Sequence, residues 1–149
     1  MDRQQIPFLL NYAKDPNCLG FARLAANGIV SHDRMAQESL CAATLSLLLD
    51  MARINVGVIN DVVSLSTELR RRGWDVIRTP DTAECGSDAI SEGDVGVQIS
   101  SLRHHIYVVV DAHDQTLPEV ADNEAIKAHP HQVTGGETVP QTTYFLRAT

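Results

Sequence analysis

Cys41 stands in Leu40-Cys41-Ala42-Ala43-Thr44-Leu45-Ser46-Leu47-Leu48-Leu49, a thiol set where an apolar helix is expected to begin. The start of a helix points unpaired N–H groups and the positive end of its dipole at such a sulfur, which favours thiolate chemistry and offers donors to an oxyanion. A partner base is available downstream. Gly93-Asp94-Val95-Gly96-Val97 reads as a turn into a buried strand, and His104-His105-Ile106-Tyr107-Val108-Val109-Val110 as a second strand that opens with histidine. A thiol on a helix facing an imidazole on a strand is equipment for acyl transfer through a covalent intermediate. His105 is preferred to His104 because it adjoins the apolar run, with Tyr107 and Val109 on its own face of the strand.

These residues need elements to hold them. Short amphipathic patterns predict helices over Gln4–Lys14 and Leu19–Ala26, the second stopped at Asn27-Gly28. Ser31-His32-Asp33 offers caps for a helix over Met35–Arg53, but a thiol at a helix start requires a break around Met35–Glu38 with Ser39 as the cap. Asn60–Arg72 is the clearest helix, with a stripe of Val62, Val63, Leu65 and Leu69, a basic end at Arg70-Arg71-Arg72, and Gly73 to stop it. From Trp74 onward the pattern turns to short strands: Trp74–Ile77, Asp94–Ile99, His105–Asp111, Leu117–Ala121 and Thr142–Arg147, with Pro80–Gly93 as a surface loop. Helices followed by strands make an α+β domain, and 149 residues with 44% hydrophobic content suit one domain spanning the chain.

Composition narrows the partners. A formal net charge of −7 argues against nucleic acid as a general partner. Three cysteines at Cys18, Cys41 and Cys85 form neither a disulfide framework nor a CxxC knuckle. His129-Pro130-His131 is divided by its proline and no HExxH occurs, so neither a metal nor another cofactor is expected. His113, in Asp111-Ala112-His113-Asp114, reads as a hairpin tip, and Cys85, in Glu84-Cys85-Gly86-Ser87, as a surface thiol. The first ten residues lack the features of a secretory signal, and no apolar run reaches the ~18 residues of a membrane span. The expectation is a protein synthesised in the cytoplasm without membrane association, with delivery to a cell wall by a phage or secretion route left open.

Taken in order, Cys41-Ala42-Ala43-Thr44-Leu45-Ser46, Leu69-Arg70-Arg71-Arg72-Gly73-Trp74, Gly93-Asp94-Val95 and His105 before an apolar strand resemble the CHAP/NlpC-type papain-like cysteine hydrolases. The resemblance runs from about Glu38 to Leu146. It implies a papain-like fold, with N-terminal helices packed on a C-terminal antiparallel sheet, and cleavage of amide bonds in peptidoglycan or muropeptides. It also implies a third polar residue that orients the histidine ring. Asn123 is the choice by its separation from His105, with Asp122 as the neighbour that strand alternation sends to the opposite face. Many CHAP members have Gln before the cysteine where this chain has Leu40, so Gln37 or Ser39 would have to supply an oxyanion donor beside the Cys41 N–H. The acidic residue that many of them carry two places before the terminal Asn is Ala121 here. Asn17-Cys18-Leu19-Gly20-Phe21 echoes the cysteine motif of the NlpC branch and keeps Cys18 as a rival nucleophile. The alternatives are a non-catalytic binding or inhibitory module on the same fold, and a delivered toxin, effector or phage lysis hydrolase.

Overall fold

The computed structural model describes residues 1–30, 36–77, 89–101, 103–135 and 140–149, with backbone alone at 36–38. Among them a 3₁₀ turn at Asp2–Gln5 leads into helices α1 (Ile6–Lys14), α2 (Pro16–Val30), α3 (Ala36–Met51) and α4 (Val62–Arg71). Strands follow as β1 (Asp75–Ile77), β2 (Val95–Ile99), β3 (His104–Asp111), β4 (Glu119–Ala121), β5 (His129–Pro130) and β6 (Tyr144–Arg147). They form one sheet in the order β1-β6-β2-β3-β4-β5, with every neighbouring pair antiparallel. The protein is therefore α+β, helices first and sheet second. No described helix is long and apolar enough to cross a membrane.

The apolar run of β3 is buried on both faces, and alternation divides it between two layers. Ile106, Val108 and Val110, with Val95 and Val97 of β2, pack against Cys41, Leu45, Leu48 and Leu49 of α3. Tyr107 and Val109 face the other way, into a smaller core with Ile77, Ile90, Val120, Val133 and Phe145. In the β2–β3 register Gly96 lies opposite Tyr107, and Gln98 lies opposite His105. The absent side chain at Gly96 is what lets the Tyr107 ring lie flat on the neighbouring strand, because a Cβ there would overlap the ring.

Local chemistry sets the element ends. Asp61 caps α4, its carboxylate accepting from the Ser64 N–H at 2.7 Å, and Gly73 turns the chain away at φ +93°. Arg72 and the Trp74 indole N–H both donate to Asp2, at 2.6 to 2.9 Å, so the basic end of α4 clamps the N-terminal turn. Asp94 of the Gly93-Asp94-Val95 turn is buried and paired with Arg147 of β6, which makes it a bracket across the sheet.

Three expectations differ from what is found. α2 continues through Gly28 to Val30, because Ala26 and Val30 bury against Ala43, and that packing outweighs the roughly 1 kcal/mol penalty of an interior glycine. α3 has no break before Ser39; Ala36, Gln37 and Glu38 are good helix formers and extend it backwards. β5 falls in a stretch read only as a histidine pair, since a two-residue edge strand containing proline has no periodicity to detect. The expected caps Ser31, His32 and Asp33, and most of the Pro80–Gly93 loop, lie outside the described residues.

Gly96→Ala is expected to destabilise by about 2 kcal/mol or more through overpacking against Tyr107. Gly20→Ala, in α2 with open space around it, should instead stabilise by about 0.5–1 kcal/mol. Urea unfolding of the two variants tests this, and equal midpoints would contradict the packing described.

Candidate active site

His105 enters the outer layer of the sheet beside Tyr107, their ring centroids 5.9 Å apart. Its Nε2–H donates to Asp122 Oδ2 at 3.0 Å, and both groups are almost fully buried. Asp122 follows β4 directly and continues the alternation of Val120, which points into the same outer layer. This corrects the choice of Asn123 as the orienting residue. The alternation that separates the two side chains turns the carboxylate towards His105; Asn123 instead uses its carbonyl to accept from Arg23 Nε of α2 at 3.1 Å, and its Oδ1 is buried without a partner.

The other oxygen of Asp122 is also engaged. Oδ1 accepts from the Glu124 N–H and from His129 Nε2, each at 2.9 Å. His129 Nδ1 lies 3.0 Å from the Pro130 carbonyl. Both neighbours of the His129 ring are acceptors, so both of its nitrogens donate and the ring is an imidazolium. Its pKa is raised accordingly, first by the Asp122 hydrogen bond.

Cys41 completes the arrangement from the helix layer. Its thiol hydrogen-bonds the His105 ring, and because Nε2 is held by Asp122, Nδ1 is the nitrogen left to meet the sulfur. Burial alone would push the His105 pKa down, but the Asp122 bond and then the Cys41 bond carry it up to about 9. Burial would likewise raise Asp122; bonds from His105 and His129 hold it far below the usual carboxylate range instead. The structure thus brings Cys41 and His105 together and supplies Asp122 as the third member.

Cys41 does not occupy a helix start. It stands in the second turn of α3, where its N–H belongs to the internal ladder, so the expected backbone oxyanion donor is already committed. Leu40 and Ser39 are half-buried, and the Gln37 side chain lies outside the described residues. Cys18 is remote in role: its thiol donates to Asp15 at 3.6 Å, and burial followed by the Asp15 charge raises its pKa. Cys85 lies outside the described residues. His104 is half-buried at the head of β3, and His113 is exposed in the turn after it.

Sequence reasoning missed three members of this cluster. His129 was considered only as a metal ligand. His131 packs on Tyr107 with centroids 4.6 Å apart, lies 5.8 Å from the His105 ring, and leaves its buried Nε2 unpaired. Its pKa falls to about 4, through burial and then the charge on His105. Gln98, directly across from His105, is fully buried with neither amide atom bonded, and Thr44 Oγ1 on α3 is similarly unpaired. Each such group costs about 1–3 kcal/mol. Alternation along Val95-Gly96-Val97-Gln98 was the available signal, since it puts Gln98 on the face that carries His105.

One ligating atom from each of His105, Asp122 and Glu124 falls within 4.8 Å of the others. Those groups are engaged in hydrogen bonds: two imidazoles hold Asp122, and Arg103 pairs with Glu124. A cleft of about 630 Å³ opens elsewhere, beside Asp94 and Arg147, and neither Cys41, His105 nor Asp122 lines it. The thiol, imidazole and carboxylate come together in the buried cluster and not in this cleft. Comparison with protein-family models, curated proteins and solved structures gave no match to this chain.

The histidines make stability depend on pH in two opposite ways. His105, raised to about 9, contributes stability that is complete below its unfolded value near 6.5 and is lost as pH rises through 9. His131, lowered to about 4, is held neutral, so stability falls as pH drops from about 6.5 towards 4. Melting temperature should therefore peak near pH 6.5. Asp122→Asn is expected to flatten the alkaline decline, and His131→Phe, which keeps the contact with Tyr107, the acidic one. Calorimetry from pH 4 to 10 reads both; unchanged limbs in the two variants would contradict the assignments.

Proposed function

We propose that the protein is a cysteine hydrolase of the papain-like CHAP/NlpC type, cleaving amide bonds with Cys41 as nucleophile, His105 as acid and base, and Asp122 as the orienting group. The observation that carries this reading is the single imidazole bonded on one side to a buried carboxylate and on the other to a thiol. Such a ring has one tautomer and one direction fixed for it, as a base in this chemistry requires.

In the proposed cycle His105 already carries a proton on Nδ1, facing the Cys41 sulfur, and the sulfur attacks the substrate carbonyl as the thiolate. The tetrahedral intermediate collapses as His105 gives that proton to the leaving amine, breaking the C–N bond and leaving a thioester on Cys41. Water, deprotonated by the same ring, attacks the thioester; the acid leaves and the thiolate is restored. Asp122 balances the positive charge on the ring throughout. Amide bonds of peptidoglycan stem peptides, or the lactyl link, are the substrate class that the resemblance suggests.

A second reading is supported by one observation. Cys41 has 0% exposure and His105 2%, so the site is closed to solvent in this state, as in a binding module whose thiol does no chemistry. For the hydrolase, the same burial means that substrate enters only after local opening.

Purified protein incubated with muropeptides is expected to release new amino groups without new reducing ends, read by mass spectrometry. Cys41→Ala and His105→Ala should abolish release, Asp122→Asn should lower kcat about 10²-fold or more, and Asn123→Ala should stay within about 3-fold of the unsubstituted protein. Undiminished release by Cys41→Ala would overturn the assignment. A Cys41 that also resists iodoacetamide in the folded protein would favour the binding module.

A further inference from the structure

We propose that Gln98 is a substrate-binding residue of this site, using its carboxamide to hold a neutral amide group of the substrate. This rests on the hydrolase reading above and adds to it the group that recognises the substrate. Gln98 and His105 are direct cross-strand partners, so their side chains leave the same face of the sheet with β-carbons about 5 Å apart.

Gln98 is 0% exposed, yet neither its Nε2 nor its Oε1 has a hydrogen-bond partner. Buried side-chain amides in folded proteins are nearly always bonded, so one left unpaired across from His105 calls for an explanation, and a substrate amide supplies it. Several polar groups on and beside its strand are already committed to others. The Tyr107 hydroxyl is shared with Thr142 Oγ1 at 2.6 Å, the Val97 carbonyl accepts from the Thr143 N–H at 2.8 Å, and the Ile99 N–H donates to Thr143 Oγ1 at 2.9 Å. His105 is held by Asp122 and Cys41.

The chemistry of the unpaired carboxamide is specific. A carboxamide presents a donor and an acceptor side by side without charge, which complements a carbonyl oxygen and an N–H of a peptide or a primary carboxamide. It suits an anionic or cationic group poorly, since each leaves half of the pair unused.

Gln98→Met, similar in size and without hydrogen bonds, and Gln98→Glu, which keeps the acceptor and loses the donor, separate recognition from packing. With a muropeptide digest as substrate, kcat/KM is expected to fall about 10-fold or more in both, while the melting temperature of Gln98→Met stays equal or rises because an unpaired buried group is gone. A Gln98→Met protein as active as the unsubstituted one, alongside a dead Cys41→Ala protein, overturns the role of Gln98 and leaves the hydrolase standing. Full activity of Cys41→Ala removes the hydrolase instead. A second measurement needs no turnover: the rate of Cys41 alkylation by iodoacetamide, which carries a primary carboxamide, relative to iodomethane, which does not. The ratio cancels the opening step common to both reagents. A fall of about 5-fold or more in Gln98→Met or Gln98→Glu supports amide recognition, and an unchanged ratio in both overturns it.

Discussion

A buried carboxylate must be paired or it will not stay charged, and Asp122 is the residue through which that constraint organises the protein's polar interior. Its two oxygens accept from His105, His129 and the Glu124 N–H, which joins β3, the end of β4 and the edge strand β5 at one point. The carboxylate stays ionised because two rings donate to it, and the rings hold their protons because the carboxylate is there. Neither half is stable alone: without Asp122, burial would drive both rings towards the neutral form, and without the rings it would drive the carboxylate to protonate. The direction of His105, and so its approach to Cys41, follows from this pairing.

The sheet supplies the geometry. β3 is buried on both faces, so it can collect a thiol from the helix layer and imidazoles from the outer layer while its apolar residues fill both cores. Gly96 admits Tyr107, whose ring supports His131, and His131 in turn abuts His105. The cluster is thus built on paired strands and backed by aromatic packing, which fixes the direction of the His105 ring. It also carries unpaired polar atoms at Gln98, His131, Thr44 and Asn123, a departure from the usual satisfaction of buried groups that an apolar core would have avoided.

Much of this was legible in the amino-acid order. Apolar periodicity identified α4 and β3 within a residue or two, the change of pattern at Trp74 separated helices from strands, and the thiol at Cys41 and imidazole at His105 stood out by their place against apolar runs. These are local properties: a period of 3.6 or 2, a cap, a turn glycine, all written in neighbouring residues. Only tertiary structure could decide that α2 passes through Gly28 and that Asp122 meets His105 while the Asn123 backbone carbonyl meets Arg23. Each depends on contacts between segments far apart in the chain. A helix end yields to the packing of its neighbour, and a one-residue step in a strand exchanges the faces of two adjacent side chains. The role of His129 depends on the same cause, since its partner Asp122 comes within range only where β4 and β5 pair, while alternation in β2 marks the face of Gln98 but not its lack of partners.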